Sequence, residues 1–187
     1  MIDFSRTADV VAPQLLGCTL SHAGVTVRLT EVEAYLGAED AAAHTHRGMT
    51  PRNAAMFGPG GHMYVYLSYG IHLAGNIVCA PEGTGQGCLL RAGEVIDGLE
   101  TASRRRGNVS FSRLAQGPGN LGQALNLQLS DNHAPVTGPD FVLGPRPEEP
   151  EWVAGPRIGI SKNIDAPLRF WIPDDPSVSM RRRRPRG

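Results

Sequence analysis

The sequence predicts an α+β fold, a single compact domain built on a curved, mainly antiparallel β-sheet with flanking helices and a protruding β-hairpin. Two observations lead to this prediction. The chain has 187 residues, which fits one domain with a core that needs no metal or disulfide staples. Short alternating apolar segments are separated by turn residues, among 23 Gly and 15 Pro, as is typical of short antiparallel strands.

The first elements are predicted to be a helix and a hairpin. Residues 5–16 show one apolar face and stop at Gly17, which indicates a helix. Residues 18–36 read as a hairpin with its turn at 22–24. In its second strand, alternation places six residues on one face, apolar at first and polar-aromatic at the end: Val25, Val27, Leu29, Glu31, Glu33 and Tyr35. This pattern indicates a core strand whose last residues enter a cleft.

The later elements are predicted from the same signals. A short helical piece is predicted near 41–43, and helices are predicted at 95–106 and 119–127. Strands are predicted at 63–68, 72–79, 88–92, 157–160 and 168–172. Residues 141–150 are predicted to be irregular. The Tyr69-Gly70 pair marks a tight turn between the first two of these strands. The Arg-rich end, 180–187, is predicted to be a disordered tail, so that the domain spans 1–179.

Composition excludes several classes of protein. No apolar run reaches the roughly 18 residues of a membrane span, and no signal peptide opens the chain, which predicts a cytoplasmic protein. Three cysteines without a C-x-x-C pair indicate packed thiols in a reducing compartment and argue against a zinc site. The formal net charge is zero, and 17 of the 18 basic residues are Arg. Phosphate recognition and a G- and C-rich genome explain that bias equally well.

Glu33 is the first residue that could carry chemistry. Carboxylates are seldom fully buried without a partner or a task, although an ion-paired or surface role is the commoner explanation. Glu31 lies two residues away, roughly 6.5–7 Å along the strand. Carboxylate pairs at that spacing are typical of glycoside hydrolysis, but such pairs on strands are more often simply solvated.

The tyrosines form a second candidate feature. Three of the chain's four tyrosines, Tyr64, Tyr66 and Tyr69, lie within six residues. A half-buried sheet face explains such a cluster, and so does a stacking platform for a flat ring. Tyr69 leaves the face that Tyr64 and Tyr66 share and falls at the turn, where an exposed aromatic ring indicates a binding role.

Three further polar residues interrupt apolar surroundings. His44 follows the predicted cleft, Asn76 lies between Ala74 and Val78 on its strand, and Arg91 interrupts a buried apolar run. Buried polar groups need partners, so each of the three is either structural or functional. His46 adds a weak metal partner for His44, but no third ligand has suitable spacing, and no metal is predicted.

Taken together these residues resemble one family, the alkyladenine (3-methyladenine) DNA glycosylases. The matching segments occur in the family's order from about residue 7 to 179 and read TEVEAYLGAEDAAAH, TPRNAAMF, MYVYLSYG followed by Asn76, CLLRAGEV, GPGNLGQAL, RIGISKN and PLRFW. Seven segments in order are far more specific than any one of them.

The resemblance implies excision of a damaged purine from duplex DNA. Glu33 matches the carboxylate that activates water, and Arg91 matches a basic residue near the flipped nucleotide. Tyr69 matches the aromatic side chain that fills the gap in the base stack. The residues matched to the base pocket are Tyr35, Ala42, His44, Tyr66 and Asn76. Ile71 and His72 replace bulkier groups of some relatives and, with Arg52, are expected to contact DNA.

The implied enzyme is a monofunctional glycosylase of 3-methyladenine, 7-methylguanine, hypoxanthine or ethenoadenine. Its expected partner is damaged double-stranded DNA, with no cofactor, no metal, no membrane, no obligatory protein partner, a monomeric state and a nucleoid-associated location. Lys162, the one lysine, is expected to lie away from the site, which argues against a Schiff-base lyase step. A basic face of Arg28, Arg52, Arg91 and Arg113 is expected to bind phosphates.

Two alternatives remain from the residues themselves. A sugar hydrolase would use Glu31 and Glu33 as acid and base, which requires both carboxyl groups to face one pocket. A non-catalytic binder of damaged DNA would use the tyrosines alone. For the glycosylase, Glu33 must be ionised, so Arg91 or a water molecule is expected to keep it charged.

Overall fold

The computed structural model describes residues 2–179, a single compact α+β unit. Its three α-helices are α1 (Ala8–Leu15), α2 (Leu99–Arg106) and α3 (Pro118–Ala124). Its strands are β1 (Thr19–His22), β2 (Val25–Tyr35), β3 (Met63–Ser68), β4 (His72–Cys79), β5 (Gln86–Asp97), β6 (Ala115–Gln116), β7 (Phe141–Gly144), β8 (Val153–Gly155) and β9 (Arg169–Trp171). The predicted disordered tail at 180–187 lies outside the described residues.

All strand pairs of the sheet are antiparallel, which confirms the predicted fold class. The strand order is β3-β4-β5-β2-β1-β7, with β6 beside β5 and the β8–β9 pair beside β2. The two longest strands, β2 and β5, therefore lie side by side in the middle. The main apolar cluster, to which α1 and α3 contribute, packs against their core side. No helix among residues 2–179 is long and apolar enough to cross a membrane.

Two β-bulges lie opposite each other where β2 and β5 pass the functional site. Leu29 pairs with Gly93 and Glu31 with Ala92, so Thr30 is an extra residue on β2. Glu31 pairs with Ala92 and Val32 with Leu90, so Arg91 is an extra residue on β5. A bulge bends its strand and changes the direction of the neighbouring side chains.

The bulge at Thr30 overturns the prediction that one face of β2 runs from Val25 to Tyr35. Leu29 and Val32 both pack into the main core cluster although they are three residues apart. Alternation therefore changes phase at Thr30, and the core side chains after it are Val32 and Ala34. Glu31, Glu33 and Tyr35 consequently turn to the side opposite the core.

Several predicted boundaries are wrong. The predicted helix at 95–106 starts as strand, because β5 continues to Asp97 and α2 begins only after Gly98, whose φ is 74°. Residues 157–160 form no strand, and their backbone instead borders the functional site. Residues 141–144 form β7, although this segment was expected to be irregular. The helical turn expected near 41–43 is a 3₁₀ turn at Gly37–Glu39.

Candidate active site

A cavity of about 430 Å³ opens between the β3–β4 hairpin, the loop after β2 and residues 158–162. Its volume lies in the range of small-molecule sites. Eight residues that the sequence singled out line it together: Tyr35, Ala42, His44, Arg52, Tyr66, Tyr69, Asn76 and Arg91. They come from four separate segments, so the fold assembles one site from side chains up to 56 positions apart in the chain.

Glu33 lies directly behind the cavity wall and is fully buried. Its Oε2 accepts a hydrogen bond from the Tyr35 hydroxyl at 3.0 Å, and its Oε1 accepts one from the Ile158 backbone N–H at 2.8 Å. Arg91 Nη1 lies 3.5 Å from the same Oε1. All three partners line the cavity, so the carboxylate contacts the cavity wall from behind. A carboxylate has about four lone-pair positions, which leaves capacity for a water molecule.

Burial raises the pKa of Glu33 above the usual 4.5 of a glutamic acid. Arg91, the Ile158 N–H and the Tyr35 hydroxyl all favour the ionised form and limit this rise. Arg91 thus supplies a positive charge beside the Glu33 carboxylate, as predicted from the sequence. The carboxyl group is consequently a stronger proton acceptor than an exposed one, as general-base catalysis requires.

Glu31 holds Arg91 in place and does not face the cavity. It is fully buried, with Oε1 bound by Arg169 and 3.2 Å from Arg91 Nε. Its Oε2 accepts a hydrogen bond from the Ser179 backbone N–H at 2.7 Å. Because Arg169, Arg91 and the Ser179 N–H hold Glu31 away from the cavity, the two carboxyl groups do not face one pocket, as the acid–base pair of a sugar hydrolase requires.

The cavity walls are aromatic. Tyr64 and Tyr66 stack with ring centroids 5.6 Å apart, and His44 meets the Tyr66 ring edge-on at 4.5 Å. Tyr35 forms another part of the wall, and the guanidinium of the buried Arg157 lies 4.5 Å from its ring centroid. Flat, electron-rich rings fixed in this way can stack on a planar ligand.

His44 is held neutral at physiological pH. Burial, with a smaller contribution from Arg52, lowers the pKa of its imidazole below the usual 6.5. Its Nδ1 lies 3.4 Å from the Tyr64 hydroxyl, and its carbonyl oxygen accepts a hydrogen bond from Asn53. A neutral imidazole offers one donor and one acceptor, so the ring can hydrogen-bond a heterocycle without adding charge.

Asn76 narrows the cavity from the β4 side. Its side chain is buried, and its Nδ2 donates a hydrogen bond to the Tyr64 backbone carbonyl at 3.2 Å. This bond fixes the amide in a single position against the wall. A fixed polar group can exclude ligands that carry an extra substituent at that point.

Tyr69 projects from the turn between β3 and β4 with 83% of its surface exposed. Its backbone is left-handed, with φ 49°. Its hydroxyl lies 3.4 Å from the Gly159 carbonyl oxygen, across the mouth of the cavity. Ile71 and His72 are exposed next to it but do not line the cavity.

A buried ion pair that the sequence did not reveal supports the site. Arg157 binds both carboxylate oxygens of Asp40 and also donates to the Ala34 carbonyl at 2.8 Å. Asp40 accepts hydrogen bonds from the backbone N–H groups of Leu36 and Ala42. Burial favours the neutral acid, but the hydrogen bonds from Arg157 and Asn163 outweigh it and lower the pKa of Asp40 to about 2. The pair is 117 residues apart in sequence, and no local pattern links its members.

Two sequence predictions about basic residues need correction. Lys162 lines the cavity, so the lone lysine does not lie away from the site. Arg28 is bound by Glu94 and Asp175 at 2.8 and 2.7 Å, so its charge is already compensated and it is a poor phosphate ligand. Within residues 2–179, no group of three or more His, Cys, Asp and Glu side chains could hold a metal ion.

Comparison with known proteins identifies the family of the chain. The family model described as methylpurine-DNA glycosylase (MPG) matches residues 2–176. A protein of Corynebacterium efficiens, named "Putative 3-methyladenine DNA glycosylase", is 75% identical over 185 residues, which cover 99% of this chain and 97% of the relative. Proteins of the same name from Corynebacterium glutamicum and Cutibacterium acnes are 70% and 54% identical, covering 99% and 96% of this chain and 98% of each relative.

The family match spans nearly the whole described chain and includes every segment that builds the cavity. The chain therefore belongs to the methylpurine-DNA glycosylase family and is a DNA-repair hydrolase that acts on N-glycosyl bonds.

Proposed function

We propose that the protein excises damaged purines from double-stranded DNA by flipping the nucleotide into the cavity and hydrolysing its N-glycosidic bond. The observation that carries this proposal is the buried Glu33 directly behind an aromatic cavity, paired with Arg91, which lines that cavity. A base inside a duplex is out of reach of such a site, so the nucleotide must leave the stack. Alkylated, deaminated and etheno purines are flat rings that the walls can accept.

The walls would bind the flipped base by stacking and by shape. Tyr35 and Tyr66 offer ring faces, and a positively charged alkylated base gains further attraction from them. His44 would hydrogen-bond the base edge through its free ring nitrogen, and the backbone at Ala42 lies where a second edge contact is expected. Asn76 would reject normal guanine by crowding its 2-amino group.

The bond to the sugar would break with water as the nucleophile. As the base leaves with the electron pair of the C1′–N bond, positive charge develops at C1′, and the ionised Glu33 stabilises it. A water molecule then forms the new bond to C1′ and gives its proton to Glu33. The proton on Glu33 then passes to solvent, and a base that leaves as an anion takes up a proton from solvent, while a cationic alkylated base leaves neutral. The products are the free base and an abasic site. Arg91 would orient the carboxylate and the phosphate side of the flipped nucleotide.

Tyr69 would enter the duplex and fill the space that the base leaves. An aromatic side chain inserted between base steps replaces part of the lost stacking. Its exposed position at the hairpin tip supports this role, and Arg52, Ile71 and His72 would contact the DNA around it.

Replacement of Glu33 by Gln tests the proposal. Gln keeps the size of the side chain and an acceptor oxygen for the Ile158 N–H, but it removes the base and the negative charge. In single-turnover assays on duplexes with 3-methyladenine, hypoxanthine or ethenoadenine, we expect a loss of at least 100-fold, of the order that general-base groups contribute. Binding of the lesion duplex should persist.

Excision by Glu33→Gln at the parent rate would contradict the mechanism. Absence of base release by the parent on every lesion, with lesion binding intact, would favour the non-catalytic binder. Glu100→Gln is a matched control, since Glu100 is exposed on α2, and it should leave the rate unchanged.

A further inference from the structure

One wall of the cavity is an irregular loop. Residues 158–162 line the cavity, and the loop that contains them runs from Arg157 to Asn163. Within residues 2–179, residues 157–162 belong to no helix or strand and take part in no backbone–backbone hydrogen bond. The position of such a segment depends on the few hydrogen bonds that involve side chains.

Asp40 holds both ends of this loop. Arg157, at the first end, places its two terminal guanidinium nitrogens on the two carboxylate oxygens of Asp40. Asn163, at the other end, donates from Nδ2 to Asp40 Oδ1 at 3.1 Å. The side chains of Asp40 and Arg157 are both fully buried, so solvent screens this ion pair little. A single carboxylate therefore closes the loop at its base.

Arg157 also contacts both uncharged partners of the Glu33 carboxylate. Ile158, whose N–H donates to Glu33 Oε1 at 2.8 Å, directly follows Arg157 in the chain. Tyr35, whose hydroxyl donates to Glu33 Oε2 at 3.0 Å, has its ring centroid 4.5 Å from the Arg157 guanidinium carbon. A displacement of Arg157 would therefore disturb both uncharged donors of Glu33 together.

We propose that Asp40 is a positioning residue of the active site, which anchors the loop from Arg157 to Asn163 and thereby holds the Ile158 N–H against Glu33. This inference rests on the proposed function, because it takes Glu33 as the base that activates water. Asp40 itself does not line the cavity, so it acts on excision only through the groups that it holds. A displacement of about 1 Å at the reacting groups can lower a rate by roughly 10²-fold, so such an anchor matters for catalysis.

The protonation of Glu33 is sensitive to these contacts. The charged and titratable side chains around Glu33 are Glu31 and Tyr35 on β2, Tyr66 on β3, Arg91 on β5, Arg169 on β9 and Arg157 in the loop. The Ile158 N–H and the Tyr35 hydroxyl favour the ionised carboxylate, so loosening them should raise the pKa of Glu33 further. Asp40, with a pKa of about 2, stays ionised from pH 4 to 8 and adds no titration there.

Two variants each weaken one end of the loop. Arg157→Lys keeps a charge beside Asp40 but loses the planar pair of hydrogen bonds that arginine makes. Its control is Arg146→Lys, since Arg146 is also ion-paired but does not line the cavity. Asn163→Gly removes the other anchor from an exposed position, and glycine accepts the left-handed backbone there, with φ 49°. Its control is Asn126→Gly, since Asn126 is also exposed and left-handed, with φ 56°.

Each variant is characterised in two ways. The single-turnover excision rate constant is measured at saturating enzyme on a hypoxanthine duplex from pH 4 to 8. The titration of Glu33 is followed in the free protein by carbon NMR of labelled glutamate carboxyl groups, with Glu33→Gln to assign the signal. Thermal unfolding, measured by circular dichroism, shows that each variant is folded at the assay temperature.

We expect Arg157→Lys to lower the rate constant roughly 10- to 100-fold. Asn163→Gly should lower it less, because Arg157 still holds the other end of the loop. In both variants, the acid limb of the rate and the titration of Glu33 should move to higher pH. Arg146→Lys and Asn126→Gly should match the parent in both measurements, because neither substitution touches the loop.

The inference is wrong if Arg157→Lys excises at the parent rate, or if it lowers the rate while Glu33 titrates as in the parent. An equal loss in Arg146→Lys would also overturn it. If Arg157→Lys does not fold, Asn163→Gly decides, since its site is exposed. A folded Asn163→Gly protein with the parent rate and the parent titration would reject the anchor.

The proposed function fails separately from this inference. A parent that releases no base, but whose Glu33 titration shifts in Arg157→Lys and Asn163→Gly, would keep the anchoring role of Asp40 and reject base excision. A parent that releases base, with variants that behave like their controls, would keep base excision and reject the anchoring role.

Discussion

At the scale of single residues, burial changes the protonation of Glu33, the proposed general base. Its raised pKa means that acid protonates it earlier than an exposed glutamate. Excision needs the ionised form, so the rate should fall as pH decreases, with a midpoint above the usual 4.5. Single-turnover rates from pH 4 to 8 would show this acid limb, and Glu100→Gln should leave it in place. A midpoint below 4.5 would exclude Glu33 as the controlling base.

The same pKa shift has a consequence for stability. A carboxyl group whose pKa is raised by folding stabilises the fold below its unfolded pKa, and this contribution is lost as pH rises through the folded pKa. Ionised Glu33 therefore opposes folding at neutral pH, and Glu33→Gln should unfold at no lower temperature than the parent. Thermal unfolding at pH 7.5 measures this, and it also shows that loss of activity in the variant is not loss of structure.

Asp40 has a pKa shift of the opposite sign. Its pKa of about 2 is depressed, so its contribution to stability is present above 3.8 and is lost as pH falls toward 2. Asp40→Asn leaves the buried Arg157 without its charge partner and should cost about 3–5 kcal/mol of unfolding free energy at pH 7. Urea unfolding measures the loss, which should shrink between pH 4 and pH 2.

A matched control for this pair is available on the surface. Asp165→Asn makes the same replacement of a carboxylate by an amide at an exposed position. It should alter the free energy of unfolding by less than about 0.5 kcal/mol. An Asp40→Asn variant as stable as this control would show that the Asp40–Arg157 pair contributes nothing net to the fold.

Residues that line the cavity could be predicted from the sequence, but the buried Asp40–Arg157 ion pair that supports them could not. Arg91, His44 and Asn76 stand out because each interrupts apolar surroundings. Asp40 and Arg157 leave no such trace, since 117 residues separate them and each has ordinary surroundings in the sequence. Lys162 was misplaced for the same reason: the loop that brings it to the cavity contains no regular element.

At the scale of elements, the β3–β4 hairpin carries Tyr69, the proposed wedge, whose aromatic ring can be tested separately from its hydroxyl group. Loss of the Tyr69 ring should remove about 1–3 kcal/mol of stacking with a base, which corresponds to roughly 5- to 150-fold. Tyr69→Ser should lower excision from duplex DNA by this factor, while Tyr69→Phe should act like the parent. Lesions in single strands should be affected less by Tyr69→Ser. An equal loss on both substrates would contradict insertion into the stack.

The loop at 158–162 places the amine of Lys162 in the lining of the cavity. Lys162 is exposed and lines the cavity, while Glu33 lies behind the wall next to Arg91. We expect water to outcompete the amine, so that the enzyme remains monofunctional. Borohydride added during turnover should trap no covalent protein–DNA adduct, and Lys162→Gln should keep the excision rate. A trapped adduct that disappears in Lys162→Gln would establish a lyase step.

Strand positions followed local patterns better than helix boundaries did. The strands at 63–68 and 72–79 were predicted correctly, because alternation and the Tyr69-Gly70 turn are visible within a few residues. The start of α2 was missed because β5 continues to Asp97, through residues that were assigned to the helix, and Gly98 begins the helix through a left-handed backbone. Strand β8 is only three residues long and is held by its pairing with β9, so no local sequence pattern predicts it.

At the scale of the whole molecule, the paired bulges couple the position of Arg91 in the site to the pairing of strands β2 and β5 in the sheet. Thr30 adds one residue to β2 and Arg91 adds one residue to β5. Because the two additions lie next to each other on neighbouring strands, they cancel, and the register between β2 and β5 is the same before and after the bulges. Deletion of Arg91 alone would shift that register, and a one-residue slip turns the core side chains of a strand outward. Such a protein should not fold.

Deletion of Thr30 together with Arg91 restores regular alternation on both strands. Leu29 and Val32 would then keep their core positions, as would Leu90 and Val95 on β5. We expect the double deletion to fold, as measured by circular dichroism, and to release no base. Length changes in this region are therefore tolerated only in matched pairs. During evolution, Arg91 and Thr30 are therefore expected to be gained or lost only together.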